Sequence, residues 1–185
     1  NVSNVTSMTG MFSQTKKFNG DLNKWNVSNV TLMDSMFLNA TTFNGDLNKW
    51  DVSNVILMNS MFAHAKFNGD LSKWNVSNVT SMTRMFSHNE KFNGNISEWD
   101  VSNVTSMEQM FFNAINFNGD ISKWNISNVI SMIQIFYDAR KININLSSWN
   151  LETQWDIYDM FQGAINYKYC NYSAVLYNKY LKKRA

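Results

Sequence analysis

The sequence predicts an α/β repeat, a solenoid of about seven coils in which each unit of about 25 residues carries one short parallel strand and one short helix. Three observations predict it. Tryptophan recurs at Trp25, Trp50, Trp74, Trp99, Trp124 and Trp149, at spacings of 25, 24, 25, 25 and 25 residues, and self-similarity at a fixed period is the signature of stacked repeats. Within each unit an apolar pattern of helical spacing gives way to a turn motif and then to strand-like alternation. Proline is absent from all 185 residues, as expected of coils whose N–H groups are needed by a neighbour.

Division after each tryptophan yields six repeats, 1–25, 26–50, 51–74, 75–99, 100–124 and 125–149, followed by a degenerate seventh over 150–171 and a terminal segment over 172–185, all in one domain. The one-residue deletion falls between His64 and Phe67 and marks a loop. In the unit Asn26 to Trp50, Met33, Met36, Phe37 and Ala40 lie at i, i+3, i+4 and i+7, one face of about two helical turns, with Thr31 placed to cap the start. Phe43-Asn44-Gly45-Asp46, repeated at Phe18–Asp21, Phe67–Asp70 and Phe117–Asp120, then supplies a chain reversal, because Asn-Gly readily takes positive φ. Leu47, Trp50, Val52 and Val55 follow, with Trp50 and Val52 alternating as in a strand.

That spacing matches the L-x-x-L-x-L-x-x-N skeleton of leucine-rich repeats, with Asn54 near the final place. The column Asn29, Asn54, Asn78, Asn103 and Asn128, begun by Asn4, is expected to be buried and to satisfy backbone groups where each strand turns. Tyr172, Val175, Leu176 and Tyr180 have helical spacing and a basic end, which predicts a helix capping the last coil.

Composition narrows the function. With 44% hydrophobic residues and 16% charged, the chain can build a core, and its formal charge of +2 is concentrated near Lys179, Lys182, Lys183 and Arg184. No basic stripe is apparent along the body of the sequence, so nucleic acid is not the expected partner. A single cysteine, Cys170, precludes an internal disulfide. No apolar run reaches the roughly 18 residues of a membrane span, and the start at Asn1, in phase with a repeat, suggests a processed chain or an excised segment.

The motif W-[ND]-V-S-N-V-T-x-M-x-x-M-F followed by F-N-G-D-[LI]-S-K-W, over residues 1 to about 149, closely resembles the BspA-like leucine-rich-repeat surface proteins, in particular the DUF285 type first noted in mycoplasmas. The resemblance implies a right-handed leucine-rich-repeat-like solenoid in secreted, lipid-anchored or surface-displayed proteins, often called adhesins. Similar arrays occur in large DNA viruses and protists, so a virion is the alternative location to a cell surface or the extracellular space. The family carries no catalytic motif to transfer. Ile142-Asn143-Ile144-Asn145 replaces the turn motif in the sixth unit, and Tyr169 and Cys170 replace its Gly and Asp in the seventh.

Chemical candidates are few. His64 and His88 occupy equivalent places in consecutive units, but zinc wants three or four ligands and only Asn39 and Asn113 flank them, so they are read as solvated loop residues. The column Asp21, Asp46, Asp70 and Asp120 is read as turn chemistry with ion pairing to the lysine three residues on, not as a calcium ladder. Sequons at Asn4, Asn29, Asn78 and Asn103 belong to the column expected to be buried, which leaves Asn39 and Asn171 as glycan acceptors. Cys170, with no histidine expected nearby, is read as a core or cap residue. Catalysis, metal and cofactor are not expected.

Binding is. The outward residues Lys24-Asn26-Ser28, Lys49-Asp51-Ser53, Lys73-Asn75-Ser77 and Glu98-Asp100-Ser102 are nearly constant, a ribbon that suits a repetitive polysaccharide or no ligand. Variation concentrates at Ser13–Lys17, Leu38–Thr42, Ala63–Lys66, Ser87–Lys91, Phe112–Asn116 and Tyr137–Lys141. There Leu38, Phe112 and Tyr137, with the neighbouring His64 and His88, form either a contact for another protein or surface glycan or simple loop drift. The expected function is a surface-displayed interaction or adhesion module. The alternatives are a structural component of a virion or envelope, and self-association through an uncapped N-terminal coil.

Overall fold

A computed structural model of the chain describes residues 2–149, 151 and 156–168, which form six coils and part of a seventh, stacked one on the next. Isolated parallel bridges join Ser7 to Leu32, Leu32 to Leu57, Leu57 to Ser81, Ser81 to Ser106, Ser106 to Ser131 and Ser131 to Asp156. The helix expected in each coil does not form, and neither does the strand expected around Trp50 and Val52. Among the described residues there is no helix, and sheet-like pairing is confined to the bridge position beside Thr31, where the helix was expected to begin. The expected capping helix over Tyr172–Lys183 lies outside the described residues.

Two consecutive turns stand where the helix was expected, bridged by a third in which Leu38 N–H donates to Ser35 O at 3.1 Å. In the two, Met36 N–H donates to Met33 O at 3.3 Å and Ala40 N–H to Phe37 O at 3.0 Å. The third residue of each of these two turns, Ser35 and Asn39, has φ of 55° and 57°, the mark of a type II turn. Two four-residue turns laid end to end direct their first and last residues inward, and those positions reproduce the i, i+3, i+4, i+7 spacing of a helix face. The backbone donors decide between the two. N–H groups of Met33, Ser35, Phe37 and Asn39 donate to the carbonyls of Leu57, Asn59, Met61 and Ala63 at 2.7–3.0 Å, whereas a helix would direct such donors to carbonyls four residues back in the same coil.

The expected strand is replaced in the same way. Trp50 N–H donates to Leu47 O at 3.1 Å and Val55 N–H to Val52 O at 2.9 Å, so all four apolar residues close turns and face inward. Side-chain oxygens brace these bends: Asp46 Oδ1 accepts from Asn48 N–H at 2.9 Å and Asp51 Oδ1 from Ser53 N–H at 3.1 Å.

The Phe-Asn-Gly-Asp segment is not an Asn-Gly turn of positive φ, since among the glycines only Gly10 and Gly163 have positive φ. Glycine is required there by close approach: a Cβ on Gly94 would lie 2.9 Å from the Gly69 carbonyl and 3.0 Å from the Phe92 ring. The preceding asparagine is a clamp between coils. Asn44 N–H donates to Asn19 Oδ1 at 2.9 Å, and the pattern continues through Asn68, Asn93, Asn118 and Asn143 at 2.7–2.8 Å.

Apolar columns fill the interior. Phe37, Phe62 and Phe86 are stacked at 5.5 and 5.7 Å, and Trp50 lies parallel to Trp74 at 6.5 Å, as Trp99 does to Trp124 at 6.4 Å. From the second coil to the sixth, the indole N–H reaches back to the preceding coil: Trp50, Trp74, Trp99, Trp124 and Trp149 donate to the carbonyls of Leu22, Leu47, Leu71, Ile96 and Ile121. Trp25, in the first coil, is half-buried.

The asparagine column is on the surface, contrary to its expected burial. Asn29, Asn54, Asn78, Asn103 and Asn128 are exposed, yet each Nδ2 donates at 2.7 Å to a serine carbonyl of the preceding coil. A surface side chain serves here because the carbonyl at this bend opens outward along the stack.

Substitutions at two positions test these assignments. Gly94→Ala must displace either a ring or the Gly69 backbone, so urea denaturation is expected to show a loss of about 1–3 kcal/mol. Ser60 has φ of 55°, a conformation that costs an L-residue about 1–2 kcal/mol against roughly 0.5–1 kcal/mol for the extra entropy of glycine. Ser60→Gly should therefore hold or raise the urea midpoint and Ser60→Val should lower it; the reverse order would show that this turn is misassigned.

Candidate functional site

The segment that varies most from coil to coil begins within the second turn and forms one edge of the stack. Ser13, Leu38, Ala63, Ser87, Phe112 and Tyr137 occupy one equivalent position; Gln14, Asn39, His64, His88, Asn113 and Asp138 occupy the next, all with φ between 51° and 63°. The edge is held by the same ladder as the core: Asn39, His64, His88 and Asn113 N–H groups donate to the carbonyls of Ala63, Ser87, Phe112 and Tyr137 at 2.7–2.9 Å.

Four of the five residues proposed from sequence come together. His64 and His88 are stacked with ring centroids 4.4 Å apart and planes within 9°. His88 meets Phe112 at 5.2 Å, tilted by 44°, and Phe112 stacks on Tyr137 at 4.7 Å. One file of rings thus crosses four coils at the margin between interior and water. Leu38 holds the place of Ala63 one coil earlier, in the same file as Phe112 and Tyr137, and is half-buried.

Burial and the neighbouring His64 ring hold the His88 imidazole below the usual histidine range, opposed by the weaker pull of Glu90. Asn113 Nδ2 lies 3.1 Å from His88 Nδ1; with the amide donating, the proton of the neutral ring sits on Nε2. Among the described residues no group of three or more His, Cys, Asp or Glu converges as metal ligands would. Cys170 and the sequon at Asn171 lie outside the described residues.

The aspartate column does the work of turns. Asp21, Asp46, Asp70 and Asp120 each accept through Oδ1 from the N–H two residues on, at 2.9–3.0 Å. Hydrogen bonds from Ser72 and Ser122 hold Asp70 and Asp120 below the ordinary carboxylate range, as those from Ser53 and Ser102 do for Asp51 and Asp100. Lys73 and Lys123, three residues on, add a smaller electrostatic pull on Asp70 and Asp120, but no salt bridge joins any of these aspartates to its lysine among the described residues; the salt bridge found there joins Lys123 to Glu98 of the preceding coil at 3.8 Å.

One feature escaped the sequence reading. Although no basic stripe is visible along the chain, Lys16, Lys17, Lys66, Lys91, Arg140 and Lys141 are all exposed on this same edge. They fall in four clusters separated by 25 to 49 residues in sequence, so only the coil period, applied residue by residue, could have revealed the row.

The sequence profile described as Mycoplasma protein of unknown function, DUF285, matches residues 1–89 and again 62–173. The chain belongs to the DUF285 family. The two matches overlap over residues 62–89 and together span residues 1–173 of this DUF285 chain. Among curated proteins and solved structures, nothing matches the chain.

The histidine pair generates a pH prediction. With the His88 pKa lowered in the folded protein, the unfolded chain binds more protons below the ordinary histidine value of about 6.5. Its contribution to stability is complete above that value and lost as pH falls through the folded pKa. The urea midpoint should drop between about pH 7.5 and pH 5, and His88→Asn, which installs the residue found at Asn39 and Asn113, should reduce the drop; an equal drop in the variant would remove His88 from the account.

Proposed function

We propose that this DUF285 chain is a non-catalytic interaction module, displayed at a surface, that engages another protein or a surface glycan through the edge bearing Leu38, His64, His88, Phe112 and Tyr137. The observation that carries the reading is a division of labour among side chains. Repeated polar residues are committed to the coil stack itself: Asn29, Asn54 and their equivalents to carbonyls, Asp46 and Asp51 to bends. At the edge, by contrast, residue type changes from coil to coil while the backbone geometry stays constant. A constant backbone presenting variable, partly solvent-facing aromatic residues suits recognition, because aromatic groups supply contact area at little cost in conformational freedom. Catalysis requires unlike groups converging in a cleft, and stacking equivalent residues in parallel files opposes that convergence.

The experiment uses residues that the fold already accepts at these positions. Phe112→Ser and Tyr137→Ala copy Ser87 and Ala63, and His88→Asn copies Asn113. Labelled native chain is expected to bind cell surfaces or an immobilised panel of matrix proteins and glycans, and the triple variant to bind at least about tenfold less at an unchanged urea midpoint. Native chain that binds nothing on cells or panel, or a triple variant that binds as the native chain does, would falsify this reading.

A further inference from the structure

Charge is segregated across the stack in a way that net charge conceals. The six segments of the variable edge named above hold six cations and two carboxylates, Glu90 and Asp138; the other described residues hold six cations and eleven carboxylates. Lys16 and Lys17 lie in the first coil, Lys66 and Lys91 in the third and fourth, and Arg140 and Lys141 in the sixth, all exposed. Between them, the intervening coils place Thr41 and Thr42, then Ile115 and Asn116, with no acid. The coils are pinned together here by Thr42 Oγ1 donating to Lys16 O at 3.1 Å and by Lys141 N–H donating to Ile115 O at 3.2 Å. The cations therefore run along the stack in a fixed order.

We infer that this row binds a linear acidic polysaccharide, carboxylated or sulfated, laid along the stack. The inference deepens the proposed function and rests on it in taking the same edge as the partner-facing one. Five coil steps of roughly 4.8 Å separate the first cluster from the last, a span on the order of 25 Å. That length exceeds a small anion and suits a polymer whose charges repeat. The ligand class is set by the rings beside the row. Proteins that hold single-stranded nucleic acid stack bases on aromatic faces, but the faces of His64 and His88, and of Phe112 and Tyr137, are turned on one another. What they leave for a ligand is ring edges, which can pack against a sugar chain but give no platform to a base. An acidic protein segment would need a buried anchor, and the cations here stand on exposed stems.

The test measures binding of the whole chain to heparin, polygalacturonate, neutral dextran, single-stranded poly(U) and polyglutamate. Heparin or polygalacturonate is expected to bind most tightly, dextran not at all, and raising salt from about 50 to 300 mM should weaken binding by roughly tenfold or more, since counterions compete for the cations. The variant Lys66→Glu, Lys91→Glu, Arg140→Glu, Lys141→Glu should lose at least about tenfold in affinity. A control of identical net charge, Lys24→Glu, Lys49→Glu, Lys73→Glu, Lys123→Glu, should lose less than about threefold; these approximate bounds separate a local row from overall charge. Equal losses in the two variants, tighter binding of poly(U) or polyglutamate, or no binding of either acidic polysaccharide overturns the inference. If the last result accompanies intact binding to cells that the aromatic triple variant loses, the interaction module stands and only its ligand class falls.

Discussion

Four backbone N–H groups in each of the first six coils, at the places of Met33, Ser35, Phe37 and Asn39, point along the stack and end on carbonyls of the next coil, and that commitment constrains everything else. A donor used between coils is lost to any helix within the coil. The chain must then bend by turns that leave alternate N–H groups free, and the turns that do so place their third residue at positive φ. Serine, asparagine, histidine, arginine, glutamine and aspartate all accept that conformation in one coil or another, each at the steric cost of a left-handed L-residue. The ladder tolerates this cost because an unpaired buried N–H would be dearer, at about 1–3 kcal/mol.

Hydrogen bonds set the register, but they are not the larger part of the driving force. Each contributes on the order of 1 kcal/mol net, whereas each buried phenylalanine, methionine or leucine contributes about 1.5–3 kcal/mol on leaving water, and the core carries several such residues per coil. The two effects meet at the tryptophans, whose indoles lie in the interior while their N–H groups reach a carbonyl one coil back. Glycine in the Phe-Asn-Gly-Asp segment answers the same demand for close stacking. Its missing Cβ admits the preceding carbonyl and the neighbouring ring.

Such an architecture divides residues into those that hold coils together and those left to face the surroundings. Asparagines at the bends belong to the first group even though they are exposed, because their amides are bonded to backbone. The edge formed by the second turn and the residues after it belongs to the second group, where the ring file and the cation row run side by side along the same axis. A ligand that recognises both must be elongated, since neither is gathered at one point.

By itself the sequence determined the 25-residue period, the identity of the inward residues and the interior tryptophan file, because a repeated apolar position must meet its own copy when coils stack. It could not distinguish a helix from two successive turns, since Met33, Met36, Phe37 and Ala40 face inward in both. Only the destination of the N–H groups and the φ of Ser35 and Asn39 separate them, and these are properties of the packed array. Tertiary structure likewise decided that Asn29 and its equivalents lie outside, that glycine serves close approach instead of a reversal, and that the six cations share an edge. Each of those facts depends on what the next coil presents at that point, and a pattern read along one coil contains no information about the gap between two.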